Sequence, residues 1–107
     1  MLLKPNDWDI STRQSLSYYS LAVETFNDGQ FQHSEKLLND AIFYNPKVSE
    51  YFLLRGRSRY YLGDFEGARL DYNEAYRLNP SSTEVHRYSF RLTSGYNFSV
   101  LQVLFPI

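Results

Sequence analysis

Arg55-Gly56-Arg57-Ser58-Arg59-Tyr60-Tyr61-Leu62-Gly63-Asp64-Phe65-Glu66-Gly67-Ala68 is the stretch whose reading decides the fold. Tyr60, Tyr61 and Leu62 bring apolar mass to the end of one helix. Gly63 follows as the residue best suited to a left-handed position after a helix C-terminus. Asp64 can then cap a second helix, because its carboxylate accepts an orphan backbone N–H and suits the positive end of the helix dipole. Phe65 and Ala68 open a new apolar period near 3.6. The stretch therefore predicts two helices folded back on one another.

Working outward, the same hairpin recurs. Gly29 and Gly63, Phe31 and Phe65, Ala41 and Ala75, Asn45 and Asn79, and Pro46 and Pro80 each lie 34 positions apart. Ser11-Thr12-Arg13-Gln14 has capping-box spacing and predicts the start of a first helix. It runs past Tyr18, Tyr19, Leu21, Ala22, Thr25 and Phe26 to the stop at Asp28-Gly29. A second helix starts at Phe31, with Ser34, Leu37, Leu38, Ala41 and Ile42 on its inner face. It ends at Asn45-Pro46, because the residue before proline is driven out of the α region. A third begins at or just before Ser49 and runs to Leu62. In the fourth, Phe65, Ala68, Tyr72, Ala75 and Leu78 are expected to point inward, up to Asn79-Pro80. Ser81 and Glu84 offer a capping box for a fifth helix reaching about Thr93.

The 34-residue period resembles that of the tetratricopeptide repeat family, whose unit is a pair of antiparallel helices. Residues 49–82 carry the resemblance best, with Gly56 as the small residue of helix A, Ala68 and Ala75 as the small positions of helix B, Tyr72 as its aromatic and Pro80 as the closing proline. Residues 15–48 match less fully, with Gly29, Ala41 and Pro46 in place and Ser34 and Leu38 at the first small and aromatic positions of helix B. The resemblance implies an all-α fold, an α-solenoid of antiparallel helix pairs: about two units, 15–48 and 49–82, and a capping helix over 83–93. Together they make a helical domain over 11–93. Continuing the register places Phe90 where a small residue is wanted, so a third unit is not completed. Two and a half units are marginal for a stacked array.

Outside this domain, residues 1–10 read as a lead-in without helical period, in which Trp8 either packs on the first helix or meets a partner. Residues 94–107 are apolar, uncharged and rich in β-formers. They either dock over the last helix, or are buried by a partner, or are an alternative chain end.

Composition narrows the function classes. Of 107 residues 18% are aromatic, including ten Tyr and eight Phe, and the formal net charge is −1. A nucleic-acid footprint is therefore not expected. With no Cys, disulfides and thiolate metal sites are excluded. No apolar run approaches the roughly 18 residues that cross a bilayer, so no membrane contact is expected. The opening residues are too short an apolar run for a signal peptide. An intracellular, cytoplasmic location is expected, with a cytoskeletal or ciliary assembly open.

No catalytic, cofactor or metal constellation stands out. His33 and His86 are far apart in sequence and read as solvated. Asp64, Glu66, Asp71 and Glu74, beside Arg69 and Arg77, read as a solvated face with Glu66–Arg69 and Glu74–Arg77 pairs. Glycines 56, 63 and 67 form no phosphate loop.

The resemblance implies a non-catalytic adaptor or structural subunit of a larger assembly, which holds a peptide segment or helix of another protein in a groove lined by the A helices. The groove would present Leu16, Tyr19, Val23 and Phe26 from the first unit. Glu50, Leu53, Leu54, Arg57, Tyr60 and Tyr61 would come from the second, and Arg87 and Arg91 from the closing helix. Arg57, flanked by tyrosines, suits carboxylate or aromatic recognition. The Lys/Asn clamp by which some relatives hold the acidic tails of chaperones is not expected. Its positions fall here on Tyr19, Val23, Leu54, Glu84 and Tyr88. Two alternatives are an RNA-binding helical repeat, which the near-neutral charge disfavours, and a short form of a longer co-chaperone or scaffold.

Overall fold

The structure, a computed structural model, describes residues 7–93, with side chains at 10–88. Five helices follow one another: α1 (Asp7–Asn27), α2 (Phe31–Tyr44), α3 (Ser49–Tyr61), α4 (Phe65–Leu78) and α5 (Thr83–Thr93). Among the described residues there is no strand. α1 packs on α2 and α3 on α4 as hairpins, α2 packs on α3 to join the hairpins, and α5 lies against α4. This is the expected solenoid of helix pairs.

Each turn has an identifiable cause. Gly29 and Gly63 take φ of +80° and +86°, the left-handed conformation that glycine adopts without a Cβ penalty. Asp64 caps α4, its Oδ1 accepting from the Gly67 N–H at 2.9 Å. Asn45 and Asn79, each followed by proline, leave the helical region with φ of −151° and −147°.

Two boundaries differ from expectation. α1 begins at Asp7, so the last four positions of the supposed lead-in are helical. No glycine or proline stands between Asp7 and Asn27, so the Ser11 capping spacing has no chain break to cap. At α5 the cap is Ser82 rather than Ser81: its Oγ accepts from the Val85 N–H at 3.3 Å. The tail at 94–107 and the side chains of Trp8, Phe90 and Arg91 lie outside the described residues.

The core falls into two clusters joined through Ile42. Ala22, Leu37, Leu38, Ala41, Tyr51 and Leu54 form the first, and Phe52, Leu53, Ala68, Tyr72, Ala75 and Val85 the second. Small residues let the axes approach, as helices separated by about 8–10 Å require. A Cβ placed on Gly56 would stand 2.5 Å from the Tyr72 ring, so that ring occupies the space a side chain would need.

Buried serines sit at the crossings, and each hydroxyl is satisfied across the interface. Ser15 shares a hydrogen bond with the Tyr51 hydroxyl at 2.9 Å, and Ser34 donates to the Ala22 carbonyl at 3.2 Å. Ser58 bonds Ser34 at 3.1 Å, and Ser49 donates to the Ala75 carbonyl at 3.0 Å. A buried hydroxyl left unpaired would be costly, so these bonds fix which helix faces meet.

Two expectations about faces are corrected. Phe65 is 47% exposed. As the first residue of α4 it lies beyond the layer of Ala68 and Tyr72, and it meets Tyr60 edge-on at 5.2 Å. Asp71, expected on a solvated face, is 3% exposed. It sits on the same stripe as Ala68 and Ala75, and arginines from α3 neutralise it.

Candidate interaction surface

The A helices α1, α3 and α5 carry the candidate groove, and Arg57 near the middle of α3 touches both of the others. Its guanidinium carbon lies 4.6 Å from the centre of the Phe26 ring of α1 and 4.5 Å from that of Tyr88 of α5. Such contacts orient the cation and are stronger where water is excluded. No carboxylate among the described residues forms an ion pair with Arg57. Its Nε is buried and has no hydrogen-bond acceptor. A small crevice beside it is lined by Arg57, Tyr60, Tyr61, Tyr72 and Tyr88. The enclosed space is about 10 Å³, enough for roughly one water.

The other arginines of α3 are used differently. Arg55 donates to both oxygens of Asp71 and to Asn39, while Arg59 bonds Asp71 at 3.0 Å and Glu35 at 2.7 Å. Burial opposes the charge on Arg59, but the Glu35 hydrogen bond and the fields of Asp71 and Glu35 outweigh it and raise its pKa. Arg55, Arg57 and Arg59 are thus three cations on one helix, two matched by carboxylates and one by rings alone.

Aromatic contacts extend from Arg57 along the turn edge of the solenoid. Phe26 meets Phe31 at 5.2 Å, Phe31 stacks on Tyr61 at 4.7 Å, and Tyr61 meets Tyr60 at 5.8 Å. Tyr61 remains 54% exposed and Leu62 44%. Burial raises the pKa of Tyr72 well above the ordinary phenol value, with Arg57 opposing it. Tyr19 is raised too, first by burial and then by the carboxylates Glu50 and Glu84. Both phenols stay protonated through the physiological range.

Of the sequence-predicted groove residues, Tyr19, Val23, Arg57 and Tyr60 are half-buried, and Arg57 and Tyr60 share the crevice. Tyr19 is tilted against Tyr51, ring centres 5.0 Å apart. Leu16 is exposed, and so are Glu50 and Arg87. Leu53 is different: at 5% exposed it belongs to the core with Tyr72 and Ala68, and it offers no surface to a partner. Leu54 is likewise buried. Arg91 has no described side chain. Sequence reading assigned Tyr72 to packing alone and missed the part of Tyr88 in holding Arg57. Tyr88 lies 34 positions after Leu54, so the repeat offset already placed it on a groove-facing position.

His33 and His86 are exposed and neither lines the crevice; His86 Nε2 lies 2.8 Å from the Pro80 carbonyl. Among the described residues no group of three His, Asp or Glu side chains could hold a metal ion, and no helix is long and apolar enough to cross a membrane.

Comparison with known proteins agrees with the geometry. The family model for the tetratricopeptide repeat matches residues 49–82. Tetratricopeptide repeat protein 16 of Macaca fascicularis and that of Homo sapiens are each 32% identical to the chain over 104 residues. The match covers 97% of this chain and 12% of each relative's length.

Proposed function

Since residues 49–82 are a tetratricopeptide repeat, we propose that the chain is a non-catalytic interaction module holding a peptide segment or helix of another protein in its A-helix groove. The observation that carries this reading is Arg57, a cation braced by rings from two neighbouring helices and matched by no carboxylate among the described residues. A side chain needed only for packing would be cheaper as leucine, since a buried Nε–H without an acceptor is unfavourable. The exposed Tyr61 and the half-buried Tyr19 and Tyr60 supply apolar area with hydrogen-bonding tips, the mixture found at contact surfaces. The chaperone clamp has no place in this reading, because Tyr19, Val23, Leu54, Glu84 and Tyr88 hold its positions. A role as adaptor or structural subunit within a larger intracellular assembly follows.

A photo-cross-linking side chain placed at Leu16, on the A-helix side, or at Phe43, on the B-helix side, tests the groove in cells. Both positions are exposed, at 51% and 78%. Partner adducts are expected from Leu16 and should fall with Arg57→Glu. Adducts from Phe43 alone, or adducts from Leu16 indifferent to Arg57→Glu, would overturn the groove reading.

A further inference from the structure

The crevice beside Arg57 has an unusual donor balance. One guanidinium and four phenols line it, and no carboxylate does. Burial keeps Tyr72 a protonated donor, and the Nε–H of Arg57 has no acceptor. Glu50 and Glu84 come near enough to act on Tyr19, yet neither pairs with Arg57. Phe26 and Tyr88 already occupy ring-stacking contacts of the guanidinium, so what remains to be satisfied is its hydrogen-bonding capacity. We propose that this crevice is a subsite for the carboxylate of a Glu or Asp side chain in the partner peptide, an inference that rests on the groove reading above.

Three features favour that group. A carboxylate is planar and matches the fork of an arginine, whose pre-organised N–H groups give paired, charge-assisted bonds. The enclosed space, about 10 Å³, suits a flat group at its mouth better than a tetrahedral phosphate with three oxygens. Arg57 itself reaches rings of both flanking A helices, α1 and α5, so a chain bound along them would continue to either side of it and a side chain is favoured over a chain terminus. Exclusion of water strengthens each such bond.

The test is NMR observation of the Arg57 Nε–H on the full chain, titrated with blocked glutamate (N-acetyl-glutamate N-methylamide). Blocked glutamine, blocked phosphoserine and N-acetyl-glycine serve as the neutral, phosphate and chain-end counterparts. Blocked glutamate should shift the Arg57 signal saturably, with apparent affinity about tenfold above blocked glutamine. The preference should weaken with added salt and vanish in Arg57→Gln. No response, equal response to glutamate and glutamine, or preference for phosphoserine or for the chain-end probe would each overturn the proposal. The glutamate–glutamine contrast is read on the unaltered chain, so a folding defect in Arg57→Gln does not blur it. Loss of the preference while Leu16 cross-links persist removes the subsite and leaves the groove; loss of the cross-links removes the groove itself.

Discussion

Asp71 of α4 and Arg55 of α3 are joined by two hydrogen bonds, Nε to Oδ2 at 3.0 Å and Nη2 to Oδ1 at 2.8 Å. The acid is 4% exposed at its side chain and the base 17%, so the pair ties the hairpin from inside. Arg59 adds a third bond to Asp71 and links it to Glu35 of α2, so one carboxylate connects both repeats. Removing it leaves two cations partly desolvated. Asp71→Ala is expected to cost about 3 kcal/mol, near the low end for a broken buried pair because both arginines keep some water contact. Asp71→Asn, which keeps one acceptor, should cost about half as much. Urea unfolding midpoints measure both.

Gly56 and Gly67 should respond differently to alanine. At Gly56 the new Cβ would stand 2.5 and 2.7 Å from two Tyr72 ring carbons and 3.2 Å from the Asp71 Cβ. The ring is 3% exposed and packed within the core, so it cannot swing away. The gain of about 1 kcal/mol in helix propensity is then outweighed by overpacking of about 1–3 kcal/mol. At Gly67 the three atoms nearest the new Cβ all belong to the Asp64 carboxylate, which is exposed and can move. Loss of that cap, about 1 kcal/mol, roughly cancels the propensity gain. Thermal midpoints should therefore fall for Gly56→Ala and stay nearly level for Gly67→Ala.

The turn and close-packing residues were readable because they recur. Gly29 and Gly63, Ala41 and Ala75, Pro46 and Pro80 occupy equivalent places in two copies, and a 34-residue offset finds them without any knowledge of contacts. Asp71 was not readable in that way. Its repeat counterpart is Leu37, so the offset pairs a carboxylate with a core leucine and gives no hint of Arg55 and Arg59. The helical stripe through Ala68 and Ala75 did mark position 71 as inward, and the i,i+4 arginines on α3 could have supplied its partners. Phe65 misled for a related reason: repeat position alone does not tell a core aromatic from one at the helix start. Leu53 was assigned to the groove by the same positional rule, although its branched apolar side chain has no polar tip to keep it at the surface. Arg57 was legible as a groove cation, but its two rings come from residues 31 positions away on either side, a distance that local pattern does not span.

The two turn glycines offer a check on the hairpins that does not involve the core. Nothing lies within 4 Å of a Cβ built on Gly29 or Gly63, so only backbone strain opposes substitution. Gly29→Ala and Gly63→Ala should each cost about 1–2 kcal/mol, the penalty of a left-handed residue with a Cβ. Gly63→Asn should recover part of that loss, because asparagine tolerates the conformation. Chemical denaturation of the three variants distinguishes this from a steric defect, which would worsen with the larger side chain.

The bracing of Arg57 can be measured as an interaction energy. Phe26 and Tyr88 belong to α1 and α5, and both rings lie on the same guanidinium. A double-mutant cycle of Arg57→Met with Phe26→Leu is expected to return a coupling of about 0.5–1 kcal/mol. The corresponding cycle with Tyr88→Leu should be similar in size. Phe26→Leu and Tyr88→Leu should then be non-additive while Arg57 is present, because removing one ring frees the cation that the other holds. In the Arg57→Met background the two should become additive, within the few tenths of a kcal/mol usual for independent sites. Unfolding free energies of the eight combinations supply every edge of the cube. Additivity in both backgrounds would mean that Arg57 does not couple the first A helix to the last, and that its position reflects each helix separately.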